Sequence, residues 1–316
     1  MTRFLVRRLT GLVVTLAVAA LVVFWILEVL PGDPAATMLG ISATPETIAA
    51  LRTELGLDQP PVARFLGWIT GMFSGQLGIS YAYRVPVGGL IAERVAVTLP
   101  LAVLALMLAS SIGIALGTLA ASKANSVIDS VVMGVAQLGL AIPNFWFGLL
   151  FVLLFSVTLG WFPSGGFPGW SGGILPAFQA LVLPALALAL PQSAVLARLT
   201  RSSLLETMGE DYIRTARAKG LTRGQTLRRH ALRNALVPVL TMMGLQFSFL
   251  VAGTIIMENV FALPGLGRLL VQAIGGHDLI LIKNLVLLFV GAAVIVNAIV
   301  DIAYGYADPR LRVSRP

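Results

Sequence analysis

Apolar residues run through this chain in long blocks, separated by short polar or breaker-rich segments. Each block reaches the about 20 residues a helix needs to cross a bilayer. Six spans are predicted, at 9–30, 95–121, 131–159, 175–196, 235–257 and 285–304. No Asp, Glu, Lys or Arg occurs over 130–197, and only the Gly/Pro/Trp loop WFPSGGFPGWSGG at 161–173 divides that stretch. The first span stops at the breaker cluster PGDP, 31–34. Between it and the second span lies the longest non-spanning region, 35–94. There Thr44-Pro45-Glu46 opens a capped helix that runs to Leu55.

Composition agrees with that pattern. Apolar residues make up 57% of the chain and charged ones only 11%, too few to cover so large a core with a soluble surface. The predicted class is an all-α integral membrane protein in which the bilayer itself is the principal surrounding partner. MTRFLVRRL at the start resembles a signal-peptide charged region, but the apolar stretch 9–27 is too long for a signal core and no small-x-small site follows it. An uncleaved first helix is the expectation.

The net charge of +8 would suggest nucleic acid in a soluble protein; in a membrane protein it carries topology, because Lys and Arg collect on cytoplasmic loops. No nucleic-acid partner is expected. With the N-terminus inside, sixteen basic residues fall inside and six outside. Both termini and the 198–233 loop are therefore expected in the cytoplasm, and 35–94 outside it.

Candidate chemistry is sparse. The absence of cysteine removes disulfides and thiol catalysis. No G-x-x-x-x-G-K-[ST] occurs, so the chain has no phosphate-cradling loop and is not expected to be an enzyme. His230 and His277 fall on opposite predicted sides and form no metal cluster. Ser110, Ser111, Ser156 and Ser193 lie in or near spans without a base at matching depth, which fits helix packing and back-bonding. Glu28, Glu258 and Asp301 lie near span ends, where interfacial anchoring or structural pairing competes with a role along a substrate path. Pro143 with Asn144, and Pro184 and Pro191 with Gln192, interrupt spans three and four. Asn144 and Gln192 are thus candidates for a translocation path, with a packed proline kink as the alternative. The segment NVFALPGLGRLL, 259–270, fits either a loop folded back into the mouth of the bundle or an interfacial connector.

The cytoplasmic loop is the chain's anomaly, with nine basic side chains over 198–233. A helix of about three turns is predicted over 211–221, with Asp211 in its first turn, Lys219 in its last and Gly220 as its stop. Tyr212, Ala216 and Gly220 share one face, with Ile213 and Arg217 beside it. Such a face fits lipid head groups or a protein partner; its small apolar area favours the protein.

DYIRTARAKGLTRGQTLRRHALRNALVPVL resembles the EAA loop of permease subunits of ATP-binding-cassette importers, in particular the B-type subunit of the dipeptide/oligopeptide class. FLVRRL, LPGDPA, VTLPLAV, AIPNFWFGLL, MENVFALPGLGRLL and ADPRLR extend the resemblance over nearly the whole chain. Ala216 and Gly220 occupy the second Ala and the Gly of the pattern. Arg214 and Thr215 replace its Glu and first Ala, while Arg233 stands where the general pattern has Pro and Pro238 follows later.

The resemblance implies a type I importer permease fold of six transmembrane helices in a bacterial plasma membrane. Its first unit is 1–94, its core 95–305 with the EAA loop at about 200–233, and its tail 306–316. It makes Asp211, Tyr212, Arg214, Ala216, Arg217, Lys219 and Gly220 the ATPase-coupling residues. It implies a second, homologous permease subunit, two ATPase domains that bind the ATP and Mg this chain does not, and an extracytoplasmic binding protein. Peptides are the implied cargo; nickel, glutathione or another small solute on the same machinery is the alternative, and an ATP-independent channel or carrier a further one.

Overall fold

A computed structural model describes residues 2–29, 34–39, 43–54 and 56–307. Most of the PGDP breaker, the tail from Asp308 and the side chain of Asp301 lie outside the described residues. The fold among those described is helical, relieved only by an isolated bridge between Ile79 and Pro86.

Helix α1 (Thr2–Val29) is followed by three short helices, α2 (Pro34–Leu39), α3 (Pro45–Glu54) and α4 (Pro61–Phe73). At the start of α3, the expected cap is formed by Thr44, whose hydroxyl accepts from Thr47 N at 3.3 Å. The long helix α5 (Val87–Ser122) then enters the bundle, starting a further two turns before the predicted span.

The third predicted span is broken rather than continuous. Helix α6 (Val127–Ala141) and helix α7 (Asn144–Phe151) meet at Ile142-Pro143 with a bend of 97°. Proline restricts the residue before it to extended backbone, and Ile142 takes φ −93°, ψ 126°. A π-helical segment, Val152–Thr158, completes α7. Among the described residues, five helices are long and apolar enough to cross a membrane, and the bent pair brings the number to six if it counts as one span.

Helix α8 (Ile174–Met208) is the axis of the molecule. It carries Pro184 and Pro191 without breaking and buries residues along its whole length, from Ala177 to Leu204. Helix α5 packs closely against it because Gly113 and Gly117 lack side chains. A Cβ on Gly113 would lie 2.6 Å from Leu196 Cβ, and one on Gly117 would lie 2.5 Å from the Ala197 carbonyl oxygen. Small residues four apart let membrane helices approach this way. Ser110 and Ser193 donate to the carbonyls of Leu106 and Leu190, each at 2.7 Å, the back-bonding expected of them.

After α8 come α9 (Asp211–Ala218), the single-turn α10 (Arg223–Thr226), a π-helical turn Leu227–Ala231 and α11 (Leu232–Val260). The last three are continuous, so the fifth span begins well before residue 235. Segment 259–270 folds back onto the bundle: Phe261, Leu263 and Leu266 are buried, and α12 (Leu266–Gly275) lies against α11. Helix α13 (Leu279–Ala307) closes the fold beside α1 and α11.

Candidate functional site

The loop between α8 and α11 is compact. Backbone turns at Gly209 and Glu210 end α8, and α9 starts at once with Asp211 in its first turn, where a carboxylate complements the helix dipole. Within α9, Ile213 and Ala216 point inward. Ile213 belongs to a buried cluster with Ala121 of α5, Leu204 of α8, and Leu227, Ala231 and Ala235. This corrects the expected surface of Tyr212, Ala216 and Gly220, because Ala216 is only 8% exposed and is covered by the chain itself. Neighbours distant in sequence decide which side of so short a helix is inner.

Outward lie Asp211, Tyr212, Arg214, Thr215, Arg217, Ala218, Lys219 and Gly220. Arg214 Nη1 reaches Asp211 Oδ1 at 3.3 Å, but both side chains are open to solvent and the pair contributes little. Tyr212 Oη accepts from Asn234 Nδ2 at 2.8 Å, tying α9 to the first turn of α11. Gly220 ends the helix with φ +95°, donating to the Arg217 carbonyl at 2.9 Å. Backbone of that hand favours glycine, so Gly220 is a conformational stop rather than part of a small-residue face. Thr222 and Gln225 follow immediately with reciprocal capping bonds at 3.0 and 3.3 Å, fixing where α10 begins.

Two further stitches were not read from the sequence. Asp129, at the start of α6, accepts from Arg201 Nε at 2.5 Å and Nη2 at 2.6 Å, and from Asn125 N at 3.0 Å. Ser203 Oγ donates to the Ala235 carbonyl at 3.0 Å, joining α8 to α11. Asp129 was legible only as an acid in the first helical turn, since Arg201 is 72 positions away. Together these contacts bind α9 to α5, α8 and α11, and α8 in turn to α6. The loop is therefore mechanically continuous with the bundle, and what presses on its basic outer side presses on those helices.

Asn144 is the first residue of α7 and Gln192 lies in α8 beside Pro191; both are half-buried. A Cβ on Gly253 of α11 would lie 3.3 Å from Asn144 Nδ2, so Asn144 faces that helix. No hydrogen bond joins Asn144 to Gln192.

Two of the span-end acids, Glu28 and Glu258, are held by structural partners. Glu28 is held by Arg64 of α4. Glu258 is fully buried, accepting from Thr98 Oγ1 at 2.6 Å, Gly267 N at 2.7 Å and Arg268 N at 3.0 Å. Thr98 Oγ1 in turn accepts from Leu266 N at 2.8 Å. Glu258 therefore caps the start of α12, and Gly265 makes room for it: a Cβ there would lie 2.1 Å from Glu258 Cδ. Among the described residues, no group of three His, Asp or Glu could hold a metal ion.

Residues 113–313 match the family described as binding-protein-dependent transport system inner membrane component, and residues 1–102 match the family of its N-terminal part. The putative peptide transport system permease protein of Brucella abortus strain 2308 is 46% identical over 312 residues, 99% of each chain. The glutathione transport system permease protein GsiC of Salmonella choleraesuis is 42% identical over 312 residues, again 99% of each. Among solved structures, an inward-facing form of the MetNI methionine ABC transporter aligns with a TM-score of 0.58 at 19% identity, covering 69% of this chain and 96% of that one. That likeness bears on the fold, which is the type I importer permease fold expected. The chain belongs to the family of inner-membrane permease subunits of binding-protein-dependent ABC importers.

Proposed function

We propose that this permease carries peptides, delivered by an extracytoplasmic binding protein, and that α9 is where a separate ATPase engages it. The observation that carries the coupling role is a short, solvent-facing basic helix joined to three long helices, α5, α8 and α11. ATP-driven movement of a partner seated on Tyr212, Arg214, Arg217 and Lys219 would reorient those helices together. The excess of Lys and Arg on the loop supports its cytoplasmic placement and that of both termini. A second, homologous permease subunit would complete the path, with Asn144 lining it at the break after Pro143 and Gln192 lining it beside Pro191 in the unbroken α8.

Peptide cargo is supported by the peptide transport permease relatives at 46% identity. Glutathione, itself a tripeptide, is a second reading supported by the relative named for it. The test is uptake by proteoliposomes holding the permease pair, the ATPase and the binding protein. Labelled di- and tripeptides are expected to accumulate only with ATP inside. Equal uptake without the ATPase would overturn the coupling reading, and uptake of nickel complexes in place of peptides would overturn the cargo.

A further inference from the structure

At the end of the bundle away from α9, a cavity of about 310 Å³ opens between α1, α4 and α13. Its wall includes Glu28, Arg64, Trp68, Gln76, Tyr81 and Lys283. That volume lies at the lower end of small-ligand sites, about 300–1,000 Å³. Nothing described so far uses it.

Among the described residues that line it, the charges do not balance. Arg64 and Lys283 supply two cations and Glu28 one anion. Glu28 is taken by Arg64, yet the Arg64 Nε is buried without an acceptor among the described residues. Lys283 is half-buried and lies over the Trp68 ring, 5.3 Å from its centre; among the described residues no carboxylate is bonded to it, and Glu28 acts on it only through space. A partly buried ammonium that faces an aromatic ring, with the cavity's one carboxylate already bonded to Arg64, calls for a further anion. Trp68 is itself fixed, donating from Nε1 to Asn284 Oδ1 at 3.0 Å, so the ring is a rigid wall. The Tyr81 phenol, pushed up by burial to about 12, adds an uncharged O–H donor to the wall.

Position selects the kind of anion. Glu28 lies in the last turn of the α1 span and Lys283 in the second turn of the α13 span, so the cavity sits at the membrane–water boundary. Beside it the flanks are greasy and uncovered. Helix α4 buries Trp68 against Phe24 and Leu287, while Val62, Leu66 and Phe73 on its other side stay exposed. Its only charge, Arg64, is turned inward to Glu28. Trp25, Ile26 and Val29 of α1 are exposed as well. A free anion would satisfy Lys283 but leave that flank bare.

We infer that the crevice between α1, α4 and α13 binds the head group of an anionic phospholipid, its phosphate at Lys283 and Arg64 and its acyl chains along the outer sides of α1 and α4.

The chain's lysines are Lys123, Lys219 and Lys283, so amine acetylation read by mass spectrometry reports Lys283 cleanly. The assembled transporter is placed in nanodiscs of phosphatidylcholine, with or without phosphatidylglycerol. Phosphatidylglycerol is expected to slow acetylation of Lys283 about tenfold, the effect of one charge-assisted contact. Inorganic phosphate or dialanine added to phosphatidylcholine discs is expected to leave Lys283 reactive. Equal rates in both bilayers overturn the site, and protection by phosphate or dialanine overturns the lipid in favour of a free anion. Native mass spectrometry of the full chain gives the second arm. Lys283→Gln should lose retained phosphatidylglycerol while Lys283→Arg keeps it; undiminished retention by Lys283→Gln overturns the inference.

Discussion

Gly220 and Glu258 restrict substitution for different reasons, one conformational and one electrostatic. At Gly220 the space is open but φ is +95°, so strain rather than bulk decides. Valine there should move the end of α9 and cost about 1–2 kcal/mol, while asparagine, which tolerates that backbone, should be accepted. Co-purification of the ATPase is expected to fall for Gly220→Val and survive for Gly220→Asn; loss in both would point back to steric approach. At Glu258 three donors converge on one carboxylate. Glu258→Ala leaves them buried and unpaired, at about 1–3 kcal/mol for each group. The purified variant should melt well below the wild type, and Glu258→Gln, which keeps one acceptor oxygen, should fall between them.

Among the elements, the α5–α8 contact is the least forgiving. Gly117→Leu would press a branched side chain onto the Ala197 carbonyl and Thr200, an overpacking worth about 1–3 kcal/mol. A lower aggregation temperature with unchanged membrane insertion is the expected result; wild-type behaviour would mean that the two helices separate at little cost. The spans themselves were legible because a bilayer demands length and apolarity, and both are local properties. Pro143 was legible as an interruption, but the 97° turn was not, because a proline fixes where a helix yields while packing fixes how far. The ends of α9 could be read from Asp211 and Gly220. Its inner side could not, since Ile213 is buried with Leu204, Leu227 and Ala235, which no local pattern links to it. Likewise Glu258 read as an acid near a span end; its donors on α5 and α12 became visible only in the fold.

At the scale of the whole molecule, the cysteine-free sequence allows topology to be tested one site at a time. Ala218→Cys, on the exposed side of α9, should resist a membrane-impermeant thiol reagent in intact cells and react after the membrane is opened. Gln59→Cys, exposed between α3 and α4, should react in both. The reverse pattern would invert the proposed orientation. Helix α8 connects these two ends without a break: its 35 residues amount to about 52 Å of helix. It is anchored beside α9 through Arg201 and Ser203, and at its other end Phe178 packs on Trp170. A member that cannot shorten makes the two ends parts of one equilibrium. Whatever factor ATPase engagement contributes to binding-protein affinity at the far end, binding-protein engagement must return to ATPase affinity at the near end. Titrating either partner in the presence and absence of the other should give the same ratio of dissociation constants.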